Sequence, residues 1–143
     1  MDKLRRAFER FEKAFKKYEE AVRTPALISF LSEDLLIEVT TKRFEYTYEA
    51  MWQSLREYLR GLGIEVNSPM KCFREAFKEG LIPEKDEEIF PEIVRTRNEI
   101  VHVYDEEKAR KIFRYIRSDA VYNAMKSLYE SLKFRIYETD LSG

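Results

Sequence analysis

The segment VRTRNEIVHVYDEE, from Val94 to Glu107, contains residue types from which a phosphodiester-cleaving centre can be assembled. Arginine brings a permanent charge and a planar fork of donors suited to phosphate, and an imidazole exchanges a proton near neutral pH. In a regular helix, Arg95, Asn98 and His102 fall on related turns, being three and then four residues apart. Arg97 lies about 140° round from His102 on the same helix. The two converge if the helix ends near Val101, or if a second subunit supplies the neighbouring group.

The chemistry open to such a set needs no metal. A base takes the proton of an RNA 2′-hydroxyl, the oxygen attacks the adjacent phosphorus, and an acid protonates the departing 5′ oxygen. Cationic donors stabilise the charge that builds on phosphorus. His102 is the only histidine, too few for two-histidine acid–base work in one chain. A two-fold dimer with the segment near its axis brings two copies together. By residue type alone, a second reading stands beside this one: a histidine at a helix end also serves as a structural group that completes caps or pairs with acids.

The elements that must carry the segment are helical. Leu4, Phe8, Phe11, Phe15, Tyr18 and Val22 recur at three- and four-residue steps, predicting a helix from about Asp2 to Val22 with Glu9–Lys13 and Glu12–Lys16 pairs on its exposed side. Thr24-Pro25 predicts a break. A second helix is expected from a Ser32 cap to Gly61 or Gly63, with Phe44, Tyr48, Met51, Leu55 and Leu59 on one stripe. Leu36, Val39, Tyr46 and Ala50 widen that stripe, as contact with several helices or a second subunit requires. Ser68-Pro69 opens a short helix that buries Met70, Phe73, Ala76 and Phe77 and ends near Gly80. Cys72 is expected to pack locally. The acidic run EKDEEIFPE suits the N-terminus of a fourth helix, with hard-metal binding as the minor alternative. Asp105-Glu106-Glu107 opens a last helix which, unbroken to Tyr137, would measure about 50 Å. A bend near Ser118-Asp119 is therefore expected.

Composition narrows the function classes. The 143 residues suffice for one domain, and 44% hydrophobic content builds a core without disulfide or metal. The 26 Lys and Arg nearly cancel 27 Asp and Glu, which excludes a general nucleic-acid coat or a polybasic membrane binder. One cysteine and one histidine cannot make a structural zinc site. No apolar run reaches membrane-spanning length, and the charged opening MDKLRRAFERFEKAF is unlike a signal peptide. A cytoplasmic protein without membrane attachment is the expectation. The ten Phe, nine Tyr and one Trp are expected in the core or at a dimer surface rather than as a base-stacking platform.

RTRNEIVHVYDEEKARKI resembles the signature of HEPN domains, specifically the HepT-like branch called nucleotidyltransferase substrate-binding proteins. The pattern is Arg, usually then Asn, a four-to-six-residue spacing to His, any residue, and Tyr. Arg97-Asn98, His102 and Tyr104 fit it; Arg95 meets the longer spacing but lacks the following Asn. KRFEYTYEAMWQSLREYL, SPMKCFREAFKEGLI and YDEEKARKIF look like their counterparts in the same order, so the likeness runs from about Leu4 to Tyr137.

The resemblance implies an all-α, up-and-down bundle of four main helices plus a short helix, a single HEPN-like domain over residues 1–143. It implies a homodimer with the Arg–His segments facing a cleft between subunits, no cofactor and no metal. It also implies an adjacent minimal nucleotidyltransferase, MntA-like, as operon partner. In the toxin–antitoxin version, type VII-like, the chain is a metal-independent endoribonuclease acting on RNA. Arg97 then binds the scissile phosphate, His102 transfers protons and Asn98 orients the site. Tyr104 is an RNA contact or the tyrosine that the partner adenylylates, and Arg95 is a secondary phosphate contact. Arg56, Arg60 and Lys71 extend the RNA surface. In the other version, the chain is a non-catalytic substrate-binding subunit of a nucleotidyltransferase complex.

Overall fold

A computed structural model describes residues 2–138; Met1 and residues 139–143, the extremes of the expected domain, lie outside the described residues. The first helix, α1 (Asp2–Arg23), buries Phe8, Phe11, Phe15, Tyr18 and Val22 on the predicted stripe, together with Ala7 and Ala21. Thr24-Pro25 does break it, but the chain re-enters a helix at once: α2 (Pro25–Phe30) has proline in its first turn and buries nothing. The sequence pattern predicts no helix there, because six residues with no buried stripe carry no periodic signal.

The long helix α3 (Glu33–Gly61) starts where Ser32 Oγ accepts from the Leu35 amide at 3.3 Å, with Glu33 and Asp34 in the first turn. At 29 residues it is about 44 Å long and forms the spine on which α1 lies. The Thr47 hydroxyl is buried between the two helices, 2.7 Å from the Arg43 carbonyl and 3.0 Å from that of Ala14. Tyr46, expected to widen the apolar face, is exposed instead.

The end of α3 is set by backbone geometry. Gly63 has φ +83°, and the amides of Gly63 and Ile64 return to the carbonyls of Arg60 and Leu59, both at 2.9 Å. The same closure ends α4 (Pro69–Lys78), with Gly80 at φ +81° and Leu81 returning to Ala76. A side chain at either glycine would be held in the left-handed region, which only glycine enters freely. Ser68 caps α4 as expected, accepting from the Lys71 amide at 3.3 Å.

The acidic run behaves differently from its reading as a helix mouth. Glu84–Asp86 form a 3₁₀ turn, Asp86 is buried, and Glu88 precedes α5 (Ile89–Ile100) without a side-chain cap. The predicted bend in the last helix is present and complete. The chain forms α6 (Glu106–Ile116) and α7 (Asp119–Lys133), followed by a π turn at Phe134–Glu138. Asp105 caps α6 through the Lys108 amide at 2.7 Å, and Ser118 caps α7 through the Val121 amide at 3.4 Å.

The product is an all-helical bundle around one contiguous core to which every helix but α2 contributes fully buried side chains. Among the described residues no helix is long and apolar enough to cross a membrane. Aromatic rings dominate the seam between α1 and α7: Tyr129 stacks on Phe8 and Phe15, with centroids at 5.5 and 5.1 Å, and Phe15 also stacks on Tyr122. Glu12, expected to pair with Lys16 along its own helix, instead accepts from the Tyr129 hydroxyl and lies 3.3 Å from Lys133 Nζ. Helix packing brought stronger partners than the i+4 neighbour.

Candidate functional site

The α5–α6 junction carries the sequence-predicted set. Helix α5 stops at Ile100, and the amides of His102 and Val103 close a tight last turn onto the carbonyls of Glu99 (2.9 Å) and Ile100 (3.3 Å). Val103 and Tyr104 then lead into Asp105, extended at φ −137° and ψ 157°, which caps α6. His102 therefore lies beyond the helix, and the common face expected for Arg95, Asn98 and His102 on one regular helix does not form. The chain has to turn here so that Ile112, Phe113 and Ile116 of α6 reach the core.

Exposure separates these residues. Arg95, Asn98 and His102 are exposed, Tyr104 is 87% exposed, and Arg97 is half-buried. Among the described residues, the side chains of His102 and Tyr104 make no hydrogen bond or ion pair. That is not the arrangement of a histidine that completes a cap: the caps here are made by Asp105 and by backbone amides.

Arg97 is held by a ring and not by an acid. Its guanidinium carbon sits 5.8 Å from the centroid of the Tyr48 ring, near the outer end of cation–π range. Burial pushes the Tyr48 phenol up to about 12, against the opposing field of Arg97. Arg95 faces a different neighbourhood. There the Tyr115 hydroxyl donates to Glu92 Oε1 at 3.0 Å, and burial, then that carboxylate, raises the Tyr115 phenol while Arg95 opposes the rise.

Two grooves flank the junction. One, of about 520 Å3, runs between α3 and the start of α6 over Ile37, Ile100, Val103, Ala109 and Ile112, and is also lined by both acidic and basic groups. The other, of about 640 Å3, lies on the far side along Thr96, Glu99, Lys108, Lys111 and Tyr115. The suggested extension of the surface fares less well. Arg60 is engaged by Glu57 at 3.0 Å and Glu65 at 3.6 Å, and Arg56 lies over the Trp52 ring, while Lys71 is exposed.

Cys72 packs locally, as its sequence context suggested. It is fully buried, its thiol is 3.5 Å from the Trp52 carbonyl, and burial pushes its pKa up to about 12, so it is no nucleophile at neutral pH. Among the described residues no three His, Cys, Asp or Glu side chains converge as a metal site requires. Tyr48 is the site neighbour that sequence reasoning missed. Its place in the α3 stripe marked it as core, and nothing in a linear pattern links it to an arginine 49 positions later.

The fold defines the class first: a helical bundle whose short polar junction is displayed at the surface. Residues 1–134 match the family described as nucleotidyltransferase substrate binding protein like, and the chain belongs to that family, within the HEPN-like helical superfamily. Its fold is shared by a crystal structure of a protein from Thermus thermophilus. The two are 31% identical with a TM-score of 0.73, and the match covers 86% of this chain and 98% of that one. Comparison with curated proteins gives no match.

Proposed function

We propose that the chain is the HepT-like partner of a nucleotidyltransferase, a metal-independent endoribonuclease toxin whose Arg97–Tyr104 segment works at a two-fold dimer cleft. The observation supporting catalysis is the exposure of His102 and Tyr104 without a partner, in the same short segment as an Arg97 that no carboxylate neutralises. Neither side chain is used by the fold, so both are open to a ligand.

In this reading Arg97 binds the scissile phosphate through its forked donors. His102 of one subunit removes the 2′-hydroxyl proton, and the oxygen attacks phosphorus. The bond to the 5′ oxygen breaks, leaving a 2′,3′-cyclic phosphate, and the second subunit's imidazole protonates the departing oxygen. Asn98 orients the site, and Arg95 contacts a neighbouring phosphate. Transfer of an adenylyl group from ATP to the Tyr104 hydroxyl by the nucleotidyltransferase, with release of pyrophosphate, adds bulk and negative charge where RNA approaches, and so neutralises the toxin. The chain acts as a single domain in the cytoplasm.

The test is purified protein with RNA in EDTA. Wild type is expected to cleave and leave cyclic phosphate ends. Arg97→Ala and His102→Ala are expected to lose on the order of 10²–10⁴-fold in rate while remaining folded. Cleavage that survives in both variants removes these roles. The second reading, a non-catalytic substrate-binding subunit, is favoured by the description of the family itself. A folded dimer that binds the nucleotidyltransferase stably and cleaves no RNA selects it.

A further inference from the structure

Several arginines in this molecule are seen against an acid, and others, such as Arg56 over Trp52 and Arg117 over Phe113, against a ring. Arg23 meets Asp119 at 2.6 Å, Arg43 meets Glu20 at 3.2 Å, Arg60 meets Glu57, and Arg110 lies 3.9 Å from Glu106. Arg97 is of the second kind, although it is half-buried where an uncompensated charge is least comfortable. Its one resolved contact is the face of Tyr48, a ring only 2% exposed and set in the core against Phe44 and Phe73 at centroid distances of 6.4 and 6.3 Å.

The chemical difference matters. A carboxylate beside Arg97 would fix it in place but also occupy its N–H donors and cancel its charge. An aromatic face attracts the cation through its quadrupole, leaves the in-plane donors untouched, and presents no acceptor that competes with phosphate. Because Tyr48 is buried and in contact with the rings of Phe44 and Phe73, it has little room to move, so the arginine stem is guided to one side of α5 before any anion arrives. Preorganisation of this kind counts when misplacing a reacting group by about 1 Å can cost on the order of 10²-fold.

We infer that Tyr48 is a positioning residue: its buried ring holds the Arg97 guanidinium at the α5–α6 junction with its donors free for a phosphate oxyanion. The ring, not the hydroxyl, carries this role. As a phosphate-binding role it rests on the ribonuclease reading above; as a statement about where Arg97 sits it does not.

The experiment therefore has two arms. In the first, side-chain NMR of ¹⁵N-labelled full-length protein follows the Arg97 Nε–Hε signal, assigned by its loss in Arg97→Lys. In wild type the signal should be displaced by the ring current and should show a nuclear Overhauser contact to the Tyr48 ring. Tyr48→Phe should keep both features and Tyr48→Leu should lose them. Phe11→Leu, an equally buried loss on α1 whose ring contacts do not include Tyr48, should keep them. If wild type shows no contact between Arg97 and the Tyr48 ring, the inference is overturned without reference to any variant, including one that fails to fold.

In the second arm, RNA cleavage in EDTA should fall in Tyr48→Leu on the order of tenfold relative to Phe11→Leu, in kcat more than in KM, with Tyr48→Phe within about twofold of wild type. Equal losses in Tyr48→Leu and Phe11→Leu reduce Tyr48 to a core residue and overturn the positioning role. A wild type that cleaves nothing removes the ribonuclease reading alone, and the first arm then decides the placement of Arg97.

Discussion

The α1–α7 seam and the α5–α6 junction are both rich in aromatic and charged residues, yet they treat their polar groups in opposite ways. Along the seam, the hydroxyls of Tyr122 and Tyr129 donate to Glu19 and Glu12, Lys133 joins Glu12, and Arg23 caps the ring of Tyr122 while pairing with Asp119. Rings stack beneath these contacts, and the polar tips at their edge pair with one another although several remain in reach of water. At the junction His102 and Tyr104 stand in solvent with no protein partner. The seam spends its side chains on cohesion, and the junction leaves these two to solvent.

Mutations can break or sharpen that contrast. The largest stability change belongs to the seam: Phe15→Ala, at a side chain packed against four other rings, should cost about 3–5 kcal/mol in urea denaturation. A loss under about 1 kcal/mol would show that the seam is looser than its geometry. Next is the break between α6 and α7, where Ser118→Ala removes the acceptor for the Val121 amide and should cost about 1 kcal/mol. An unchanged midpoint would mean that packing alone holds the two helices apart.

A smaller effect, confined to acid, concerns Glu12. The hydrogen bond from Tyr129, then Lys133, hold its carboxyl below the ordinary 4.5, outweighing the desolvation that acts the other way. The unfolded chain therefore binds this proton more readily than the native one. The associated stability is present above the unfolded pKa and drains away as pH falls through the lower native value. Glu12→Gln should flatten that part of the acid limb, read as urea midpoints between about pH 6 and about pH 3. A variant that loses stability as steeply as wild type refutes the assignment. The smallest effects belong to the junction: His102→Ala and Tyr104→Phe should change thermal stability by no more than about 0.5 kcal/mol. A substantial drop in the His102 variant would return that residue to the structural reading.

Much of the fold was legible because its signals are local. Ser32, Ser68, Asp105 and Ser118 each sit immediately before a helix and accept from an amide three residues on, and the stripes on α1 and α3 follow from the 3.6-residue period. The helix α2 escaped because it buries nothing, and Asp86 escaped because acidity at a helix mouth looks the same whether the side chain caps or turns inward. Of the candidate site, the spacing from Arg97 to Tyr104 was readable; an end of the helix near Val101 was one of the alternatives left open, and the end of α5 at Ile100 decides that His102 leaves the face of Arg95 and Asn98.

The sequence by itself determined which of the longer stretches are helical, most of their apolar faces, and which short segment has the residue types for phosphate chemistry, since all of these depend on neighbours three or four positions apart. Only the tertiary structure decided that Glu12 turns from Lys16 to Tyr129, and that Arg97 rests on the ring of Tyr48 instead of an acid. Those choices depend on how helices far apart in the chain cross and pack around a shared core, and the periodicity of a single helix holds no record of that crossing.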